Sequence, residues 1–171
     1  MLNDLAMRYK NGDTKAFDDL YKKSLPIVRA AIFSYIKDPE DMKDLAQDVY
    51  LKLTTKIKDY ESGSFENFIY TMAKNTAIDF LRKKKEEKID DIDTISSSPD
   101  LNPCLKFAIN HLDEDEKNIF LMKVLLNTST KRLAKIFNLT PSDVNKIFKR
   151  AKLKLKKELT TLWNIQNLKK N

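Results

Sequence analysis

Between Asn145 and Arg150 the chain carries an amide and three cations, Asn145, Lys146, Lys149 and Arg150, with Lys152 just beyond. On a helix these side chains share one broad side. An asparagine amide can read adenine, and lysine or arginine can meet guanine or hold a phosphate. This is chemistry for binding nucleic acid rather than for breaking bonds. From Pro141 to Lys157 there are seven Lys or Arg and one Asp, on a chain whose formal net charge is +7. Nothing comparable points to catalysis: there is one histidine, no nucleophile motif and no glycine-rich phosphate loop. Cys104 and His111 lack the further ligands a zinc site needs. No enzyme activity, cofactor or metal is expected.

The flanking residues say how the basic face is held. Leu133, Ala134 and Phe137 make one apolar face of a short helix. Asn138 follows, a residue that tolerates the left-handed conformation of a helix stop. Thr140 can cap the next helix, with Pro141 at its first position and Asp143 near its exposed amides. That helix is expected to bury Val144, Ile147, Phe148 and Ala151. The pattern is a helix-turn-helix whose second helix suits the major groove.

Two more faces stand out upstream. Asp41–Ile57 is cleanly amphipathic, with Met42, Leu45, Ala46, Val49, Tyr50, Leu53 and Ile57 on one side. Asp44, Gln47, Asp48 and Leu51 line the opposite side. Leu51 is either a scattered surface leucine or the apolar centre of a protein-binding face with a polar rim. Phe65–Lys85 is a long helix with a core side of Phe68, Ile69, Met72, Ala73, Thr76 and Phe80. Its second stripe is Thr71, Asn75, Ile78 and Arg82, followed by Lys83-Lys84-Lys85. Asp79 can pair with Arg82 or Lys83 along the helix. The loop before it, Tyr60-Glu61-Ser62-Gly63-Ser64, sets an aromatic beside small polar residues. Such a loop suits unstacked bases, although Tyr60 could equally fold back onto the core.

Two glycines, five prolines and long helical periods in 171 residues predict an all-α protein. Asn11-Gly12-Asp13 separates two helical patterns between Asn3 and Lys37, and Asp38-Pro39 marks a turn. From Glu86 to Asp100 six acids face one lysine, and the stretch to Pro103 reads as an extended or disordered linker. After it come a short helix, Leu105–Leu112, and a capping-box-like start at Asp113 with Glu116. The expected organisation is therefore two small helical domains on an acidic tether: residues 1–85, a linker at 86–103, residues 104–160, and an extension at 161–171 containing Trp163. No apolar run approaches about 20 residues, so no membrane span is expected. The start of the chain lacks a signal-peptide layout, and a cytoplasmic location is expected.

The order of these segments resembles that of extracytoplasmic-function sigma factors, small bacterial transcription initiation factors. Asp41–Leu53, DMKDLAQDVYLKL, is similar to their region 2.1–2.2 through Asp44, Leu45-Ala46, Gln47, Asp48 and Tyr50. Phe65–Arg82, FENFIYTMAKNTAIDFLR, resembles the next block through Phe68, Ile69, Ala73, Asn75, Asp79 and Arg82, with Phe68 where tryptophan is usual. Leu112–Leu159 is similar to region 4. The resemblance implies that Asp44, Gln47, Asp48 and Leu51 dock on the clamp helices of the RNA polymerase largest subunit, and that the flap of the second-largest subunit is also a partner. It implies −10 contacts by Tyr60, Ser62, Asn75, Arg82 and Lys83, and −35 contacts by Ser142, Asn145, Lys146, Lys149 and Arg150. Asp79 and Arg82 also brace their helix. By analogy the acidic linker runs towards the RNA exit path, and an anti-sigma protein is an expected partner. Arg132 stands where the family commonly has glutamate and Ile147 where it has arginine, so the −35 sequence does not transfer. The competing readings are a helix-turn-helix regulator acting without polymerase and a protein whose basic helix binds an acidic partner.

Overall fold

The computed structural model describes residues 1–87, 108–124 and 126–168, with side chains described for residues 1–85, 108–124 and 126–161. The chain forms two compact helical units. The first contains α1 (Leu2–Lys10), α2 (Ala16–Phe33), α3 (Pro39–Lys56), a 3-10 turn (Ile57–Asp59) and α4 (Phe65–Glu87). The second contains α5 (Glu114–Val124), the start of α6 (Thr130–Phe137) and α7 (Pro141–Leu168), with residues 108–110 also helical, while Lys135–Asn138 group with the first. Most of the predicted linker, 88–103, lies outside the described residues, as do residues 104–107. Among the described residues, no helix is long and apolar enough to cross a membrane.

Local chemistry explains the breaks between helices. α1 ends at Asn11, and Gly12 takes the left-handed conformation at φ +96°. Arg8 closes this turn with an ion pair to Asp13 at 2.7 Å. The Asp38 carboxylate caps α3 by accepting from the Glu40 and Asp41 amides, both at 3.0 Å, and Pro39 opens the helix. Pro26 sits inside α2, so that helix lacks one i to i−4 bond.

α2 is the spine of the first unit and packs against α1, α3 and α4. Its Leu20, Ile27, Val28 and Ile32 meet a core built from Leu45, Val49 and Leu53 of α3 and from Phe65, Ile69, Ala73 and Ala77 of α4. Each large apolar side chain buried this way contributes about 1.5–3 kcal/mol against exposure. Tyr50 is buried too. Its hydroxyl shares a 2.9 Å hydrogen bond with Ser24, and burial pushes its pKa up to about 12. The α3 stripe is as expected, with Met42 only half-buried. On α4 the core is shifted from expectation: Phe65 and Ala77 are buried, whereas Phe68, Met72 and Phe80 are half-buried. A helix pressed between two neighbours buries a wide arc, and the first and last turns of that arc decide which edge residues stay wet.

The second unit has α5 packed across α7. Leu121, Ala151 and Leu155 meet Ala108, Ile109 and Leu112, with Phe120 and Leu159 at the edge. The α6–α7 turn follows its expected chemistry. Asn138 has φ +53°, and the Leu139 amide bonds the Ala134 carbonyl at 2.8 Å, a Schellman closure. Thr140 Oγ1 accepts the Asp143 amide at 3.1 Å and donates to the Asp143 carboxylate at 2.7 Å. Val144 and Ala151 are fully buried, but Ile147 and Phe148 are only half-buried. α7 runs on to Leu168, through the first part of the 161–171 extension. Thr160 and Thr161 remain helical by bonding back to the Lys156 and Lys157 carbonyls, at 2.8 and 3.0 Å. The Trp163 side chain lies outside the described residues.

Candidate protein and nucleic-acid interfaces

α3 presents three different sides. One is core. A second carries Asp44, Gln47, Asp48 and Leu51, all exposed and brought together as their spacing requires. Leu51 is 66% exposed, in the middle of this polar group. The third side faces α4 and carries Lys52, Thr55 and Lys56.

Between that third side and α4 lies a cleft of about 520 Å³. Phe68 and Met72, both expected in the core, give it an apolar lining. Lys52, Lys56, Asn67, Thr71, Asn75 and Thr76 give it polar groups. Lys52 Nζ is fixed by a 3.1 Å bond to Thr76 Oγ1, which itself donates to the Met72 carbonyl at 2.9 Å. A planar ring with polar edges fits such a lining, which pairs an aromatic ring and a thioether with fixed donors and acceptors.

Asn75 is thus in the cleft, but the other residues expected beside it are not. Tyr60 is only 3% exposed. Its ring packs against Phe65 and Phe68 at centroid distances of 5.5 and 5.4 Å. Its hydroxyl donates to the Gly63 carbonyl at 3.0 Å, and burial, helped by the charge of Glu66, raises its pKa. Of the two courses the sequence leaves open for Tyr60, the ring takes the second in this structure: it supports the loop from below, because Phe65 and Phe68 provide an apolar seat for it. Ser62 is exposed in that loop. Arg82 and Lys83 are exposed roughly 10 Å further along α4, and Arg82 pairs with Asp79 at 3.3 Å.

Sequence reasoning missed Asn3. Its side chain donates to the Gly63 carbonyl at 2.6 Å and accepts the Phe65 amide at 3.0 Å, tying α1 to the loop. Lys10 adds a 2.8 Å bond to the Tyr60 carbonyl. It also missed Lys52, Lys56 and Asn67, whereas Thr71 lies on the stripe already read with Asn75. For the lysines the available signal was that they point away from the core stripe of their own helix.

On α7, Ser142, Asn145, Lys146 and Lys149 are exposed. Asn145 Oδ1 is 3.4 Å from Thr130 Oγ1 of α6, and Thr130 also receives Lys123 Nζ at 2.6 Å. Lys146 pairs with Asp143 at 3.3 Å. Bonds from Thr140 and then Lys146 hold the Asp143 carboxyl below its usual range. Arg150 is exposed as well. Its Nε is bonded to Glu116 of α5, a carboxylate with no exposed surface.

Two helical units in this order, one with an exposed leucine amid acids and amides and one with a capped basic helix, match known families in both halves. Residues 20–87 match Sigma-70 region 2, and residues 103–155 match Sigma-70, region 4. The chain belongs to the extracytoplasmic-function sigma factors. It is 23% identical to ECF RNA polymerase sigma factor SigM of Bacillus subtilis (strain 168) over 150 residues, 81% of this chain and 92% of the relative. It is also 23% identical to RNA polymerase sigma factor YlaC of the same organism over 160 residues, 85% of this chain and 92% of that protein. Among solved structures, it resembles the sigma factor RpoE, in complex with the anti-sigma factor NepR, from Bartonella quintana. That match has TM-score 0.57 and 24% identity, and covers 86% of this chain and 98% of the other. CnrH, in complex with the cytosolic domain of CnrY, matches at TM-score 0.60 and 17% identity, covering 93% and 97%. As a sigma factor the protein directs promoter-specific initiation, binding core RNA polymerase and recognising −10 and −35 elements. A regulator working through the helix-turn-helix alone is not favoured, since the match extends over region 2 as well.

Proposed function

We propose that the work of this sigma factor is divided among three surfaces. Asp44, Gln47, Asp48 and Leu51 dock on the clamp helices of the polymerase largest subunit. The α3–α4 cleft with Asn75 takes an unstacked −10 base of the non-template strand, under the Ser62 loop, while Arg82 and Lys83 hold phosphates beyond it. Ser142, Asn145, Lys146, Lys149 and the Nη edge of Arg150 meet the −35 element, and the polymerase flap engages the same unit. Residues 1–85 then serve as region 2, 86–103 as the tether, 104–160 as region 4 and 161–171 as an extension. The protein acts in the cytoplasm, without catalysis of its own, and an anti-sigma protein like those bound to the structural relatives is a fitting partner.

The observation that carries this reading is Leu51, 66% exposed with Asp44, Gln47 and Asp48 around it. A leucine centred in a polar rim is the layout of a small protein interface. Gln47→Ala with Leu51→Ala should weaken association with core polymerase by about tenfold or more, as loss of interface anchors does. The far-ultraviolet spectrum should stay unchanged, since both residues are exposed. An unaltered core affinity in a binding titration would remove the assignment. Lys149→Ala with Arg150→Ala should instead spare core binding and reduce −35-dependent initiation in a reconstituted reaction.

A further inference from the structure

Glu116 is buried completely, yet both of its oxygens are used by cations. Oε1 accepts from Arg150 Nε. Oε2 accepts from Lys154 Nζ at 2.8 Å and from the Asp113 amide at 3.2 Å. Lys154 also reaches Asp113 Oδ2 at 3.1 Å. Two carboxylates and two cations thus meet where α5 crosses α7, with no net charge among them. Burial works against the charged glutamate. The bonds from Lys154, Arg150 and the Asp113 amide outweigh it and hold the carboxyl below its usual range.

A helix cap does not need this arrangement. The bond to the Asp113 amide is the capping-box contact, and an uncharged glutamine makes it as well. The charge has a different consequence, which falls on Arg150. Its side chain remains 60% exposed while Nε is held from inside the unit. A guanidinium is planar, so a fixed Nε fixes the plane, and the outward edge is the one carrying the Nη hydrogens. The same contact offsets a cation beside Lys149 on the basic helix.

We propose that Glu116 is a positioning residue for −35 recognition: from α5 it orients the Arg150 guanidinium and neutralises part of the basic face, lowering non-specific attraction to DNA while keeping one defined contact. This rests on the reading of α7 as the −35 helix. Glu116→Gln keeps the shape and the cap but leaves Arg150 and Lys154 with one negative charge fewer. Freed cations bind phosphate more strongly and in more ways. Non-specific affinity therefore rises while discrimination falls. A glutamate needed only for folding would lower both together.

The test uses full-length protein assembled with core polymerase. A −35 element is first selected from a randomised duplex pool with the unaltered holoenzyme. Affinities for that duplex and for one with a scrambled −35 are then titrated against KCl. For Glu116→Gln the scrambled duplex should bind more tightly. The slope of log affinity against log salt should steepen by about 0.9, the value for one added phosphate contact. The selected-to-scrambled ratio should fall about tenfold, the scale of one lost bidentate contact. In an Arg150→Ala background the same substitution should leave the ratio where Arg150→Ala alone puts it. Arg150→Lys, which keeps the charge but not the planar fork, should lose the ratio without changing the slope, and it decides the matter if Glu116→Gln unfolds. A wild-type ratio and slope in Glu116→Gln would overturn the proposal, as would an equal loss on both duplexes in folded protein or an unchanged ratio in Arg150→Lys. Asn145→Ala is the separate control: if it changes neither the affinity for the selected duplex nor the ratio, the −35 reading of α7 fails, whatever Glu116 does.

Discussion

The α3–α4 cleft and the outer face of α7 both offer polar groups to nucleic acid, but they are built in opposite ways. The cleft is concave, and its lining comes from two helices, with Phe68 and Met72 exposed just enough to touch a ring. Its polar groups are anchored, as Lys52 is on Thr76. The α7 face comes from one helix, and most of its charges extend into solvent. Arg150 differs, held from beneath by a buried acid. The contrast follows from the two tasks. An extruded base must be repaid for a few kcal/mol of lost stacking, which requires enclosure. A duplex edge needs only a helix that fits the major groove and a few side chains in register.

Breaking the enclosure should have the largest effect. Phe65 is fully buried beneath both Tyr60 and Phe68. Phe65→Ala should destabilise the first unit by about 3–5 kcal/mol, measured by urea unfolding, and should abolish promoter opening. A loss under about 1 kcal/mol would mean that the ring seat does not organise the loop.

Next in size is Asn145→Ala, which should cost about 1–3 kcal/mol of discrimination at one −35 position, read from binding to single-base variants, if that amide reads a base. Because Asn145 is exposed, the melting temperature should hardly move. A uniform loss over all variants would make Asn145 a phosphate contact instead.

A pH series sharpens the role of the buried acid. Glu116 has its pKa lowered in the folded protein from an ordinary 4.5, through Lys154, Arg150 and the Asp113 amide against the opposing effect of burial. Its contribution is thus present above 4.5 and is lost as pH falls through the lower folded value. The thermal stability gap between the natural protein and Glu116→Gln should be widest above that pH and close below it. The gap should stay near 1–2 kcal/mol, since the partly exposed Arg150 and Lys154 can be rehydrated. A gap that widens in acid would reverse the assignment.

The smallest effect concerns the loop. Tyr60→Phe keeps the ring on Phe65 and Phe68 and removes only the bond to Gly63, so about 1 kcal/mol is expected by thermal unfolding, with −10 preference retained. A changed −10 preference at unchanged stability would return Tyr60 to the base-contacting set.

Much of this was legible along the chain, for reasons that act over a few residues. Asn138, Thr140, Pro141 and Asp143 specify a stop, a cap and a start within six positions, and the turn forms as they dictate. The Asp44–Leu51 face emerges from period alone, because a helix opposite a strong core stripe has no other side to show. The cleft was less legible. Asn75 was found, but Lys52, Lys56 and Asn67 join it only where α3 lies beside α4, and no local pattern measures that spacing. Tyr60 shows the limit best. Its neighbours Ser62, Gly63 and Ser64 suit an open loop, yet whether its ring faces bases or core depends on Phe65 and Phe68 lying beneath it and on Asn3 pulling from α1.

Periodicity, caps and charge settled that the chain is helical, where most helices start and stop, and which face of α7 is basic, since these depend on neighbours within one or two turns. The packed structure decided that Tyr60 turns inward, that Phe68 and Met72 line a cleft, and that Glu116 holds Arg150. Each of those outcomes depends on which distant side chain fills a space or meets a charge, and only tertiary contact brings such partners together.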